Sequence, residues 1–353
     1  MKQTDNLNIL RFKPLISPDE LKKELPATDA ATDLVAGSRL GVHNILMNRD
    51  CPERSQGDPR RLVIAGPCSL HDREATLEYA GRLKGLQDRL GDKILIVMRA
   101  YFEKPRTTLG WKGMLYDPAL DNSCNIEQGF HQARSLLLSI AEIGLPTATE
   151  LLDPIVPQYI SDLITWAAIG ARTTESQIHR QMASGLSMPV GFKNATDGNL
   201  SAAVDAIKAA ASPHFFMGID GNGKVVIAET RGNKCCHVVM RGGTPGPNYA
   251  SEHVAFTTVL LQKAGVKTGI IIDCSHANSG KDHKRQRQVL FDVAAQINQG
   301  NRRIAGIMLE SFLGEGNQPF NTPENLQYGV SLTDKCIGWE ETEEMIRHLA
   351  DAS

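Results

Sequence analysis

From about residue 61 onward the chain alternates short, continuously apolar runs with segments of helical period. The runs are RLVIAGPCS (61–69), KILIVMRAY (93–101), PTATELLD (146–153), AIGARTTE (168–175), PVGFKNA (189–195), HVVMRGG (237–243), GIIIDCSH (269–276) and IAGIMLES (304–311). Between them lie EATLEYAGRLKGLQDRL, HQARSLLLSIAEIG, LSAAVDAIKAAA, SEHVAFTTVLLQKAG and RQRQVLFDVAAQINQG. Several of these stop at glycine, as helices do. Apolar runs without alternation suit parallel strands covered on both faces. Eight such strands with intervening helices, over about 290 residues, predict an α/β fold of the TIM type, a (β/α)₈ barrel. A doubly wound open sheet is the competing architecture, but its G-x-G-x-x-G fingerprint is missing after the first strand.

Two pieces fall outside the eight-fold count. Residues 1–60 form an N-terminal extension with one amphipathic helix, ATDLVAGSRLGVHNILM. Residues 214–232 read as an inserted β-hairpin turning at Asp220-Gly221-Asn222-Gly223. The expected division is therefore extension 1–60 and catalytic barrel 61–353.

Composition narrows the function classes. A 41% hydrophobic and 22% charged chain is globular in balance, and its formal charge of −2 with no long basic run excludes nucleic acid as an expected partner. No apolar stretch approaches the roughly 20 residues that cross a bilayer, and the N-terminus lacks a signal peptide's apolar core. Seven cysteines, an odd number without C-x-x-C spacing, argue against a disulfide framework and a zinc ribbon. The expectation is a cytoplasmic protein with reduced thiols, each free to act as a ligand.

In a barrel, functional side chains project from the C-terminal ends of the strands. Here those ends carry Cys68, Arg99, Glu150, Arg172, Lys193, Arg241, His276 and Glu310, with Asp334 after the last strand. Each has a bland reading alone: a packed thiol, a surface ion pair, a hydrogen-bonded imidazole. Eight together at corresponding positions need a charged ligand or a metal to offset their desolvation. Arg99, Arg172, Lys193 and Arg241, with Lys104 and Arg106 just beyond the second strand, suit phosphate and carboxylate recognition. Cys68, His276, Glu310 and Asp334 mix soft, borderline and hard donors, which suits a divalent transition metal better than magnesium or calcium. Lys193 has a rival reading as a Schiff-base lysine, and Glu150 another as the partner of an arginine.

These residues sit in long segments that resemble the type I 3-deoxy-D-arabino-heptulosonate-7-phosphate (DAHP) synthases of the shikimate pathway. The segments are GPCSLHD (66–72), MRAYFEKPRTTLGWKG (98–113), GARTTESQIHR (170–180), GFKNATDG (191–198), CHVVMRGG (236–243), IDCSHANSGK (272–281), MLESFLGEGNQ (308–318) and SLTDKCIGWE (331–340). The likeness runs from about residue 40 to the C-terminus; RGGTPGPNY (241–249) is one residue longer than the family's usual loop. It implies condensation of phosphoenolpyruvate with erythrose 4-phosphate and water, giving the seven-carbon keto-sugar phosphate and inorganic phosphate. One divalent ion (manganese, iron, cobalt or zinc) is implied on Cys68, His276, Glu310 and Asp334. Phosphoenolpyruvate would lie against Arg99, Lys104, Arg172, Lys193 and Arg241, and the aldose phosphate against Lys104, Pro105, Arg106 and Thr107. Lys104, Glu150, Lys193 and His276 would serve the chemistry. Two other readings are a relative using a different aldose phosphate, such as arabinose 5-phosphate, and a catalytically silent effector-binding subunit.

Relatives that carry both the extension and the hairpin bind an aromatic amino acid there and are feedback-inhibited homodimers or homotetramers. By position, Pro157, Ser187, Phe216 and Gly218 would line that pocket. Gly218 resembles tyrosine-sensitive relatives more than phenylalanine-sensitive ones. The plainer alternative is that residues 1–60 cap the barrel floor. Oxidation of Cys68 against Cys336 is a further expectation from their sequence positions.

Overall fold

The computed structural model describes residues 2–47, 58–320 and 323–353. In chain order its elements are α1 (Pro18–Glu24), α2 (Asp29–Leu46), β1 (Arg61–Gly66), α3 (Arg73–Leu90), β2 (Ile94–Arg99), α4 (Ile126–Ile143), β3 (Thr147–Glu150), α5 (Val156–Ile160), β4 (Trp166–Ile169) and α6 (Gln177–Gly185). They continue with β5 (Val190–Lys193), α7 (Leu200–Ala210), β6 (Phe215–Ile219), β7 (Val225–Glu229), β8 (Cys236–Met240), α8 (Ser251–Lys263), β9 (Ile270–Asp273), α9 (Gln286–Asn298), β10 (Ile304–Glu310) and α10 (Trp339–Asp351). Eight parallel strands close in the order β1-β10-β9-β8-β5-β4-β3-β2, and β6 with β7 forms a separate antiparallel hairpin. The (β/α)₈ barrel and its inserted hairpin are as the sequence predicts.

Some boundaries differ. The fourth strand starts at Trp166 and ends at Ile169, so ARTTE lies beyond it. The small, polar residues of that stretch serve a turn in which Thr173 and Thr174 both donate amide hydrogen bonds to the Gly170 carbonyl. Helix α4 begins at Ile126, five residues before HQARS, because the Asn125 side chain caps the amide of Gln128. Short helices α1, α5 and α6, and the C-terminal α10, had no counterpart in the periodicity reading.

Burial on both faces sorts the strand residues into two apolar cores. One lies outside the barrel against the helices and includes Val63, Ala65, Ile96, Met98, Phe192 and Ile272. The other fills the lumen with Leu62, Ile64, Leu95, Val97, Ala148, Trp166, Ala168, Val239, Ile271 and Met308. The strands alternate with period two although both phases are apolar, except in β10, where a register shift between Ile304 and Gly306 puts Ala305 and Met308 on the lumen side.

Helix α2 completes the lumen from below. Val42, Ile45 and Leu46 belong to the lumen core and are fully buried, and the Gly269 amide donates to the Leu46 carbonyl at 2.7 Å. Arg39 donates to the carbonyls of Ile164 and Ser161 at 2.8 and 2.6 Å, and the Ser38 and Thr165 hydroxyls meet at 2.8 Å. The floor-capping role considered for the extension therefore holds for residues 29–46. The stretch before it takes another course: Tyr159 donates to the Ile16 carbonyl, Arg134 to that of Leu25, and the Asp19 amide donates to Gly221 in the hairpin turn.

In the middle of the lumen, Trp166 Nε1 donates to His237 Nε2 at 3.0 Å. Gly191 makes room for this pair, since a Cβ there would stand 2.4 Å from the indole. An indole is only a donor, so His237 is neutral and protonated on Nδ1. Burial pulls its pKa down to about 4. A histidine whose folded pKa is depressed contributes stability that is complete above about 6.5 and is lost as pH falls toward 4. The loss amounts to about 3 kcal/mol. His237→Leu is expected to flatten the acid limb of the stability profile between those pH values. At neutral pH it lowers stability by about 1–3 kcal/mol, because the indole N–H is stranded. Denaturant titrations from pH 4 to 8 check this, and parallel profiles for the two proteins would count against it.

Candidate active site

The lumen-facing phase of each strand runs upward from aliphatic residues into charge. Leu95 and Val97 lead to Arg99, Ala148 to Glu150, Gly191 to Lys193, Ile271 to Asp273, and Met308 to Glu310. Five ionisable side chains thus finish five strands on the inner face, all nearly or fully buried. Cys68, Arg172, Arg241 and His276 follow their strands by one to three residues, on loops at the same end. Asp334 arrives from a distant segment. The stretch 331–337 pairs back on 311–317 through bridges Ser311–Ile337, Gly316–Cys336 and Asn317–Ser331, and Thr333 meets Ser69 at 2.8 Å.

Ligand atoms of Cys68, Glu310 and Asp334 all lie within 4.8 Å of one another. His276 stands outside that tight group, with Nε2 3.9 Å from Glu310 Oε1. The fourth donor expected from the sequence therefore borders the cluster rather than completing it. Its backbone is left-handed, φ 55°, which is costly for a side chain with a Cβ and is typical of functional turns.

Glu310 is fixed from several sides. Its main chain exchanges hydrogen bonds with the Gln286 amide group, at 2.9 Å each way. Its carboxylate accepts from Ser275 Oγ at 2.7 Å and from Arg99 at 3.1 Å. Burial alone would raise its pKa, but His276, Arg99 and Lys104 outweigh this and hold the carboxyl below its usual range. Burial and the Glu310 charge push the Cys68 thiol the other way, up to about 11. A thiol so placed is protonated unless a cation draws the proton off. Soft, buried and hard donors held this close fit a divalent transition metal, and the neighbouring Lys104 ammonium, 3.1 Å from the sulfur, supports a thiolate there.

Asp273 is the functional residue that the strand-end reading passed over in favour of His276. Fully buried, its Oδ2 lies 3.1 Å from Lys193 Nζ and 2.9 Å from His276 Nδ1, ion-pair contacts that are both off the line of a hydrogen bond. Burial works to raise its pKa, yet His276, Lys193 and Arg99 hold the carboxyl far below its ordinary value. The signal was available: Asp273, not His276, is in phase with Ile271.

The remaining cations are unspent. Among the described residues, Arg106, Arg172 and Arg241 make no ion pair with a carboxylate, and all three line a cavity of about 270 Å³ with Lys104, Lys193 and Glu150. Pro105, Thr107, His276 and Asp334 line it too, whereas Cys68, Arg99 and Glu310 lie outside its lining. Lys193 is paired with Asp273, which favours the salt-bridging reading over the Schiff base. Glu150 has no ion pair among the described residues; Gly170 lets its carboxylate pass, since a Cβ there would be 2.2 Å from Oε1.

The loop carrying Lys104 to Thr107 is positioned by Glu103, another residue absent from the sequence-derived set. Buried, it accepts from the amides of Leu152 and Asp153 at 3.2 and 3.1 Å, and burial raises its pKa to about 8.

The expected effector residues lie on the barrel's flank. Pro157 is buried in α5, Ser187 is exposed after α6, and Phe216 and Gly218 occupy the half-buried face of β6. Cys68 and Cys336 are both free and buried.

A closed barrel with a thiol–carboxylate cluster that fits a divalent ion, beside arginines unpaired among the described residues, defines a class: enzymes that handle anionic substrates. The DAHP synthetase I family model matches residues 44–347, and the chain belongs to that family. It is 51% identical over 99% of its length, and 97% of the relative's, to the Phe-sensitive phospho-2-dehydro-3-deoxyheptonate aldolase of Escherichia coli K12. The Tyr-sensitive enzyme of that strain is 49% identical (98% of this chain, 95% of the relative), and the Trp-sensitive one of Enterobacter agglomerans 50% (100% and 99%). A solved phospho-2-dehydro-3-deoxyheptonate aldolase from Francisella tularensis SCHU S4 superposes with TM-score 0.93 at 49% identity, covering 98% of each chain. The three effector classes stand at similar identity, so likeness alone does not select tyrosine.

Proposed function

We propose that the protein joins C3 of phosphoenolpyruvate to the aldehyde carbon of erythrose 4-phosphate. Water adds at C2 and phosphate leaves by C–O cleavage. The observation that carries this is the set of unpaired cations, Arg106, Arg172 and Arg241, converging on one cavity beside the Cys68–Glu310–Asp334 cluster. Two phosphorylated anions must be held face to face, and arginines without carboxylate partners offset that repulsion.

In this reading Arg172, Arg241 and Lys193, with Arg99 and Lys104 behind them, hold the carboxylate and phosphate of phosphoenolpyruvate. Pro105, Arg106 and Thr107 take the aldose phosphate. Cys68, Glu310 and Asp334, with His276 alongside, hold the divalent ion, which polarises the aldehyde oxygen when bound. Glu150 is the cavity's single carboxylate apart from Asp334 and serves as base for the water adding at C2. Asp273 orients His276 and neutralises Lys193.

An aromatic amino acid is the proposed inhibitor, held between α5, Ser187 and the hairpin. Tyrosine is favoured over phenylalanine on the resemblance of Gly218 to tyrosine-sensitive relatives; a Cβ there would stand in ordinary contact with Phe216 at 3.6 Å. The outer hairpin face exposes Phe215, Met217, Val225 and Ile227, and the N-terminal arm exposes Leu7, Leu10 and Phe12. Apolar surface on both supports a homodimer or homotetramer. No helix among the described residues is long and apolar enough to cross a membrane, and a cytoplasmic enzyme is the proposed setting.

The deciding assay follows phosphoenolpyruvate consumption with erythrose 4-phosphate before and after chelation, with manganese, iron, cobalt and zinc returned singly. Activity should vanish on chelation and return with at least one ion; adding each aromatic amino acid then identifies the inhibitor. No consumption with any ion, or faster turnover of arabinose 5-phosphate, would overturn the reading.

A further inference from the structure

The site has a second lobe beside the cavity that the proposed function gives to the substrates. It is a cavity of about 550 Å³, larger than the first, and the two share a wall formed by Arg172, Arg241, His276 and Asp334. Beyond that wall the second lobe adds two lysines, Lys281 and Lys335. Neither has an ion pair or side-chain hydrogen bond among the described residues. The lobe's carboxylates are Glu310, already held by Arg99 and Ser275, and Asp334 of the Cys68 cluster. Its free charge is therefore positive.

We infer that this lobe is the exit site for inorganic phosphate. The inference rests on the proposed reaction and follows from its geometry. When phosphate is released, the new seven-carbon product still fills the first lobe, with its own phosphate against Arg106 and Thr107. The two lobes share Arg172 and Arg241, so the departing anion can pass from the first lobe into the second along the same arginines. Lysine suits this task better than arginine: it is a hydrated point charge on a flexible stem, attracting an anion without the bidentate grip that would retain it.

The backbone under Lys281 is fixed. Asn278, buried, donates to the carbonyls of Met240 and Asp273 at 3.0 and 2.9 Å and accepts from the Asn248 amide at 2.8 Å. Lys281 itself has φ 63°, and its amide donates to the His276 carbonyl at 2.7 Å. A non-glycine held left-handed in a braced loop marks a position where the side chain's direction matters.

The test uses the full chain with its metal bound: wild type, Lys281→Gln, Lys335→Gln and the double variant, with initial rates measured against added inorganic phosphate. In the wild type, phosphate inhibition should persist when both substrates are saturating, because the anion returns to the product complex through its own lobe. In the double variant that inhibition should weaken about tenfold, with KM for both substrates within about twofold and metal content unchanged. If the double variant misfolds, Lys281→Gln alone should weaken it about threefold, since its side chain is exposed and has no ion pair among the described residues. The inference is overturned if saturating phosphoenolpyruvate abolishes phosphate inhibition in the wild type. It is equally overturned if the variants raise KM for the aldose phosphate instead, which would make the lobe a substrate site. Failure of the reaction itself appears separately, as a wild type that consumes no phosphoenolpyruvate.

Discussion

Cys68→Ala is expected to lower kcat/KM at least about 1,000-fold and to yield protein without stoichiometric metal. The size follows from the several kcal/mol of charge stabilisation that a bound divalent ion supplies. A buried cysteine has a bland alternative, core packing, and the two readings predict opposite patterns. A packing role would cost about 1 kcal/mol of stability and leave turnover intact. A ligand role would leave thermal unfolding of the metal-stripped protein nearly unchanged and remove turnover. Elemental analysis with a kinetic assay separates them; an active variant with bound metal would show that the thiol is filler.

Asp273→Asn should lower kcat about 100-fold and weaken metal affinity about 10–100-fold, the usual effect of losing the group that orients a donor histidine. The carboxylate stands between Lys193 and His276 at 3.1 and 2.9 Å, fully buried. The amide keeps the shape but removes the charge, so Lys193 is left as a buried cation without its anion. A broken buried pair costs about 3 kcal/mol or more. Lower kcat, weaker metal binding and reduced stability should therefore appear together. Full metal affinity in this variant would show that His276 is oriented by something else.

Much of this was legible in the sequence. Eight apolar runs became eight strands because strands buried on both faces leave a continuous apolar trace. The convergence of Cys68, Arg99, Lys193, Arg241 and Glu310 followed from the rule that barrels present function at one end. Asp273 and Glu103 were missed for different reasons. Counting from the end of the run placed attention on His276, whereas the alternation within β9 points to Asp273. Glu103 lines neither cavity and holds two backbone amides fifty residues away, a relation that has no local signature. The fourth strand was displaced because Gly170 and the threonines after it serve a turn. Asp334 reaches the cluster only through pairing between two irregular segments, which periodicity cannot report.

The extension divides in a way that bears on how such chains can diverge. Helix α2 supplies Val42, Ile45 and Leu46 to the lumen core, while the arm before Thr28 lies on α5 and the hairpin turn. The arm contributes nothing to the lumen core, so on the proposed reading a change in its length or sequence alters the inhibitor response without disturbing the barrel interior. The helix has no such freedom, because its residues are interior to a barrel encoded elsewhere in the gene. A chimera spliced after residue 26 is expected to trade only the proposed inhibitor response, whereas one spliced at residue 60 trades part of the core as well.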